Sequence, residues 1–380
     1  MRVLNVNALL DPVTGGGMAE RTVQMSRQMA KQGIDVIILT TDLELTGSSV
    51  EKMEGVEIVA LPCINKRYFF PKFSYKAIKN LVREADIIHL TGHWTFINAM
   101  VYYAARDLHK PYVIWPGGAL PIYGRSGILK NLYNYLVGRK IIRDAARHIA
   151  GAQNEFEQFA RYGVNENTVS LIPNGIDPAD FSLSNRSDFR RRYALEGKPF
   201  ILFVGRLNSI KGPDLLLQAF IDLTREFGKY HLVFVGPDGG MRAGLEKTTR
   251  EASLEDKVHF LGYLGGVDKK AAYREADLLV IPSRQDAMPI VALEAGISGT
   301  SIVLTDQCGF NEVENIHGGI VVPASAEGIQ KGITTALNDT HARNVMAKNL
   351  KQYVADNFTW KIIVDKYLTL YRNMLGRDVK

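Results

Sequence analysis

At 380 residues the chain is long enough for two domains of ordinary size, which argues against a single small binding module. Its 46% hydrophobic and 23% charged residues exclude a disordered chain, and 46 Lys plus Arg against 40 Asp plus Glu leave a net charge of +6. The excess is local: residues 66–147 hold 14 basic and 4 acidic residues, so that stretch is +10 and the remainder −4, the pattern of one basic face and not of a uniformly basic nucleic-acid binder.

The opening MRVLNVNALLDP reads as a strand, not as a signal peptide, and nowhere do about 18 apolar residues run together as a spanning helix would need. Cys63 and Cys308 are far apart and lack metal-ligand spacing, as expected for a reducing, cytoplasmic compartment. Any membrane contact is then peripheral, at the inner face of the plasma membrane. Short β-branched runs at 2–7, 34–40, 56–60, 86–90, 111–115, 148–150 and 169–172 read as strands. Helical patterns at 19–32, 75–84, 95–108, 127–146 and 154–162 separate most of them.

The alternation restarts after the turn-rich LIPNGIDPADF, with strands at 200–204, 231–235, 258–260, 277–281, 301–304 and 320–322. The fold class is therefore α/β, with two doubly wound Rossmann-like domains and a ligand cleft between their carboxyl edges. The boundaries predicted are 1–177, 178–359 and a last helix, 360–380, crossing back to the first domain.

Three segments carry candidate chemistry. In the first loop, LLDPVTGGGMAE, glycines precede a helix and let backbone N–H groups approach an anion. A dinucleotide-binding reading, with Asp42 on a ribose, fails on glycine spacing, which is not GxGxxG; a flexible turn is the plainer alternative. In FVGRLNSIKGPD, Arg206 and Lys211 stand five residues apart on a strand-to-helix loop, where two cations suit a diphosphate or simply face solvent. In IPSRQDAMPIVALEAGIS, Glu294 lies inside an otherwise apolar helix, where an unpartnered carboxylate is costly; it could accept hydrogen bonds from ribose hydroxyls. Asp286 either caps that helix or contacts a sugar hydroxyl.

Together these segments resemble the retaining GT4 glycosyltransferases, which have the two-domain GT-B fold. The resemblance rests on Gly15 to Gly17, IPNGID, GRLNSIKG and DAMPIVALEA, the last matching the family's E-x7-E motif in spacing. It implies that Arg206 and Lys211 bind the donor diphosphate and Glu294 the ribose hydroxyls. Asp286 and the backbone of Met288, Pro289 and Ile290 would face the sugar and phosphates. Gly16 and Gly17 would close from the first domain, and Gly236, Tyr263 and Leu264 would flank the base. The acceptor side is expected at His93, Trp94 and Asn174. The family needs no cofactor and generally no divalent metal, consistent with the lack of a clear DxD motif; the donor implied is a UDP-sugar and the product UDP.

Two positions depart from the family pattern. Asp286 is one methylene shorter than the usual glutamate, and Gly117 in WPGGALP stands where many relatives carry a histidine. His93, in HLTGHWTF, is the candidate to take over that role, the alternative being a loop hydrogen-bond partner. The expectation is a retaining hexosyltransferase, using UDP-glucose, that acts on a glycan or lipid-linked saccharide in exopolysaccharide or surface-glycan synthesis. A GT-B UDP-sugar epimerase and a non-catalytic two-lobed sugar-binding protein are the alternatives. Residues 66–147, basic and aromatic, suit an anionic membrane surface or are ordinary amphipathic helices with solvated charge.

Overall fold

The computed structural model describes residues 1–11, 13–45, 53, 55–72, 74–122, 126–182 and 188–376. They fall into two compact units, Met1–Gly175 with Trp360–Lys380, and Ile176–Thr359. In the first unit the strands are β1 Arg2–Val6, β2 Asp35–Thr41, β3 Val56–Leu61, the short hairpin β4 Cys63–Asn65 and β5 Phe70–Pro71, then β6 Ile87–Thr91, β7 Tyr112–Trp115, β8 Arg147–Ala150 and β9 Val169–Leu171. Seven of them form a parallel sheet in the order β3-β2-β1-β6-β7-β8-β9.

Strand alternation divides that sheet's side chains between two cores. Leu4, Val6, Ile88 and Leu90 point into one, against helices Tyr75–Glu84 and Phe96–Asp107. Val3, Val36, Ile87 and Val113 point into the other, where Met25 and Met29 of helix Gly16–Lys31 meet Trp360, Ile363, Val364 and Tyr367 of helix Trp360–Met374. Burial on both faces is why the middle of the strand DVIILTT, Val36 to Leu39, is an unbroken apolar run instead of alternating.

The second unit repeats the plan with β10 Phe200–Val204, β11 His231–Val235, β12 Val258–Gly262, β13 Leu278–Ile281, β14 Ile302–Thr305 and β15 Gly319–Val322, in the order β12-β11-β10-β13-β14-β15. In each sheet the chain builds outward from a central strand in both directions, so the loops after β1 and β6, and those after β10 and β13, part toward opposite faces. Such switch points leave a crevice at the carboxyl edge.

Three local differences from the sequence reading have physical causes. The first helix begins at Gly16, not at residue 19, because the Asp11 carboxylate takes the Thr14 N–H and hydroxyl and the Asp11 carbonyl takes the Gly15 N–H, so the turn starts early. The helix expected over 127–146 is two α-helical pieces, Gly127–Tyr133 and Arg139–Arg143, joined by the π-helical turn Asn134–Gly138, where the buried Asn134 side chain is engaged elsewhere. The β4–β5 hairpin has no alternating pattern long enough to announce it.

Several histidines are held neutral by the fold. Burial lowers His89 to about 3, aided by the charge of Arg21, and His93 to about 4 against the opposing effect of its hydrogen bond to Asn134. His231 falls to about 4 through burial, then its stacked neighbour His259 and two lysines. The unfolded chain takes up these protons near the ordinary value and the folded chain refuses them. Stability is therefore complete above about pH 6.5 and declines as pH falls toward 4. Thermal melts across that window should show the decline, and His89→Gln should flatten it; an unchanged slope would assign the acid sensitivity to other groups.

Candidate active site

In the second unit, β10 runs out at Gly205, whose N–H donates to Val235 of β11, while the carbonyl of Gly205 packs against Gly236. The loop then returns through a turn in which the Asn208 side chain accepts from the Lys211 N–H. Gly212 (φ +66°) closes it: a Cβ there would lie 2.1 Å from the Pro282 carbonyl oxygen, so only glycine lets this loop pass against the end of β13. Pro213 then opens helix Pro213–Leu223 from the first position.

The loop after β13 is fastened to it. The Arg284 guanidinium holds both oxygens of Asp214, at 2.9 and 2.6 Å, and the Ser209 carbonyl at 2.8 Å, while the Arg284 N–H donates to Ile210. Burial tends to raise the Asp214 carboxyl, but the guanidinium outweighs it and the net shift is downward. Two residues on, Asp286 is 13% exposed and pairs with the Lys211 ammonium. Its backbone bridges Gln307 and Gly309 in the loop after β14. Asp286 does not cap helix Ile290–Ser298; Pro289 stands at the cap with no side-chain bond. Of the two sequence readings of Asp286, capping is therefore removed.

Arg206 follows the same strand, its side chain passing over Gly239, where a Cβ would come within 2.9 Å of Arg206 Cγ. Glu294, on the second turn of its helix, is buried, and each oxygen has a partner: Lys269 Nζ at 2.6 Å and Tyr273 Oη at 2.6 Å. Burial, then the Glu294 charge, raises the Tyr273 phenol well above its ordinary value, so it remains a donor. Lys269 and Tyr273, one turn apart on helix Gly266–Glu275, orient the carboxylate without closing all its lone pairs. Tyr263 is exposed and Leu264 buried just past β12, and Met288 is buried beside Pro289. Taken in sheet order, Tyr263 and Leu264, Gly236, Arg206 and Lys211, and Asp286 line consecutive strand ends, with the cations at the switch between β10 and β13.

The first unit places its candidates at the corresponding ends of β1 and β6. Gly16 and Gly17 form the first turn of a helix that has no acidic residue there, which leaves its positive end available to an anion. Asp42 accepts the Cys63 N–H at 2.7 Å and so serves the β3–β4 connection. His93 is 1% exposed, among the rings of Trp94, Tyr133 and Tyr162. Its Nε2 donates to Asn134 Oδ1 at 2.9 Å, Asn134 donates to the Tyr162 hydroxyl, and that hydroxyl donates to the Leu120 carbonyl. Trp94 is half-buried and donates to Ala119. His93 braces this loop through that chain of bonds, and among the described residues its buried Nδ1 has no hydrogen-bond partner.

Gly117 has φ +61°, and a Cβ there would meet the Trp115 ring at 3.0 to 3.2 Å, so a side chain at this position would need both a left-handed backbone and a small shift of the indole. Asn174, expected on the acceptor side, is buried and accepts from Arg21 at 2.5 Å. Sequence reasoning missed Arg284, Lys269, Tyr273 and Arg21; Lys269 and Tyr273, four apart on a helix, were the only pair with a readable spacing. Among the described residues, no group of three or more His, Cys, Asp or Glu is placed to hold a metal ion.

Comparisons with known proteins agree with this architecture. The Glycosyltransferase Family 4 profile matches residues 15–180 and that of Glycosyl transferases group 1 matches 185–353. An uncharacterized glycosyltransferase of Methanocaldococcus jannaschii, MJ1607, is 26% identical across 99% of this chain and its own full length. A D-inositol 3-phosphate glycosyltransferase of Actinosynnema mirum is 27% identical across 99% of this chain and 96% of its own. The crystal structure of Anabaena Alr3699/HepE in complex with UDP and glucose superposes with a TM-score of 0.81 over 97% of this chain and 99% of its own, at 17% identity. With two Rossmann-like units and both halves matched by glycosyltransferase profiles, the chain belongs to the GT4-type glycosyltransferases of GT-B fold.

Proposed function

We propose that this glycosyltransferase takes a hexose from a UDP-sugar, UDP-glucose foremost, and transfers it with retained anomeric configuration to a glycan or lipid-linked saccharide in exopolysaccharide or surface-glycan synthesis. The observation that supports the donor half is the pairing of Lys211 with Asp286 at the switch between β10 and β13, with Arg206 on the same loop after β10. There Arg206 and Lys211 take the diphosphate, whose charge grows as it leaves, and Glu294 accepts from ribose hydroxyls with the lone pairs that Lys269 and Tyr273 do not use. Asp286 and the backbone of Met288, Pro289 and Ile290 face the sugar and phosphates; Gly236, Tyr263 and Leu264 flank the base. Anabaena HepE, which shares the fold, was crystallised with UDP and glucose, and this supports the donor class.

Retention follows if the acceptor hydroxyl enters on the face the diphosphate leaves and a departing phosphate oxygen takes its proton. On that account the protein's contribution is positioning and charge stabilisation. Incubation with UDP-glucose, UDP-galactose, GDP-mannose and ADP-glucose, with surface-glycan oligosaccharides or lipid-linked sugars as acceptors, tests this. The expected result is acceptor-dependent UDP release, with product anomers read by NMR. Turnover confined to GDP- or ADP-sugars, or an inverted anomer, would overturn it.

A further inference from the structure

A pocket of about 130 Å³ lies within the unit Ile176–Thr359, at the seam between helix Gly266–Glu275 and the C-terminal end of helix Ile290–Ser298. Its apolar walls are Phe181 of the short helix Pro178–Phe181, Val267 and Ile297. Its charged lining is cationic: Lys270 and Arg274, one turn apart on helix Gly266–Glu275, and Lys351 of helix Thr340–Asn357. Among the described residues no Asp or Glu lines it. The Lys270 ammonium stands 5.6 Å from the centre of the Phe181 ring, and among the described residues neither it nor the Lys351 ammonium has an ion pair or hydrogen bond.

Helix ends collect cations because their last carbonyls carry partial negative charge. Here the end of helix Ile290–Ser298 turns back on itself, the Gly299 N–H donating to Gly296 and the Thr300 N–H to Ala295. Like charges gathered round one hollow repel, and a bound anion removes that cost. The hollow has about the volume that takes a single benzene ring. From this juxtaposition we infer that the pocket binds a small phosphate monoester, its phosphate held by Lys270, Lys351 and Arg274 and its apolar part set against Phe181, Val267 and Ile297. A doubly charged phosphate matches these cations better than a single carboxylate does.

Neither Arg206 nor Lys211 lines this pocket, so it is distinct from the diphosphate site. It does share a seam with Glu294. Ile297 follows Glu294 by three residues on one face of its helix, and Lys270 and Arg274 directly follow Lys269 and Tyr273, which hold the carboxylate. A bound ester therefore bears on the helix that orients Glu294 and acts as an effector of donor binding. That effector role rests on the assignment of Glu294 to the donor ribose; occupancy of the pocket does not.

Calorimetric titration of the full chain with phenyl phosphate tests the inference, with inorganic phosphate and benzoate as comparisons. Phenyl phosphate is expected to bind more tightly than either. Lys270→Gln with Lys351→Gln should lower its affinity about tenfold or more, as losing even one charge-assisted hydrogen bond would. Val267→Glu, which sets an acid into the pocket with both lysines kept, should do the same, while Lys211→Ala should leave the affinity unchanged. Absence of binding, binding that both pocket variants keep in full, or binding lost in Lys211→Ala alone overturns the site, and benzoate binding as tightly overturns the phosphate assignment. In turnover assays phenyl phosphate should shift the donor KM of the parent and not of the double variant; a KM it leaves unmoved overturns the effector role. Because binding is read without turnover, a failure of the donor assignment is distinguishable from a failure of the pocket.

Discussion

Lys211→Ala is expected to lower turnover by about 10² to 10³, and Arg206→Ala to do the same, with the melting temperature of either variant nearly unchanged. The size follows from losing one preorganised charge opposite a leaving diphosphate, commonly about 3 to 4 kcal/mol. The separation of activity from stability follows from the geometry. Lys211 is a third exposed and its partner is Asp286, so its truncation removes a partly solvated ion pair on a loop whose path is set by Gly212, Asn208 and Arg284. Because Lys211 reaches solvent, water can take its place beside Asp286, so the cost to stability is expected to fall well short of that of breaking a fully buried pair. Under the proposed diphosphate assignment Lys211→Arg is not expected to rescue, because a planar fork would need a different approach from the compact ammonium that pairs with Asp286. Turnover of both alanine variants near that of the parent would remove the diphosphate assignment; loss of turnover together with a collapsed melt would show the loop, not the charge, to be responsible.

The strand and helix sequence of both units was readable because the central parallel strands are buried on both faces, so runs such as VIIL in β2, FILFV and LVFV are apolar throughout. The cations of GRLNSIKG could be placed on a strand end for the same reason. Strand order, by contrast, is not written in local pattern. That β10 lies beside β13 is what brings Lys211 to Asp286 and Arg284 to Asp214, residues 75 and 70 apart in sequence. The partners of Glu294 were hidden likewise: a lysine and a tyrosine on a neighbouring helix look like ordinary surface and core residues until the two helices pack. At Gly117 the sequence showed only a glycine, and the positive φ and the nearby Trp115 ring that favour it are visible in the fold alone. Ile128, Leu132 and Tyr135 have the spacing of a core-facing helix yet are exposed, and periodicity alone cannot tell an apolar face turned inward from one turned outward.

Arg21→Ala is expected to destabilise the first unit by about 3 to 5 kcal/mol, the usual cost of breaking a buried charged network by removing one partner. Arg21 is 1% exposed, and its guanidinium lies 3.8 Å over the Trp115 ring while donating to Asn174 Oδ1, the Ile172 carbonyl and the Tyr367 hydroxyl. It thereby joins helix Gly16–Lys31 to β7, to the segment by which the chain leaves the unit, and to helix Trp360–Met374 by which it returns. At a few degrees per kcal/mol for a unit of this size, the melt should drop by about 10 °C. Lysine cannot restore the network, since one ammonium cannot span three acceptors and stack on an indole. Glu155 gives the change a pH signature. Burial raises its carboxyl above the ordinary value, and the N–H groups of Gly151 and Gly118 together with Arg21 pull it partly back. Without Arg21 the folded value rises further. A raised carboxylic acid costs stability as pH climbs through that value, so the loss in Arg21→Ala should be larger at about pH 8 than at about pH 5. A loss below about 1 kcal/mol would mean that burying the guanidinium costs nearly what its bonds return; a loss equal at both pH values would separate Glu155 from the network.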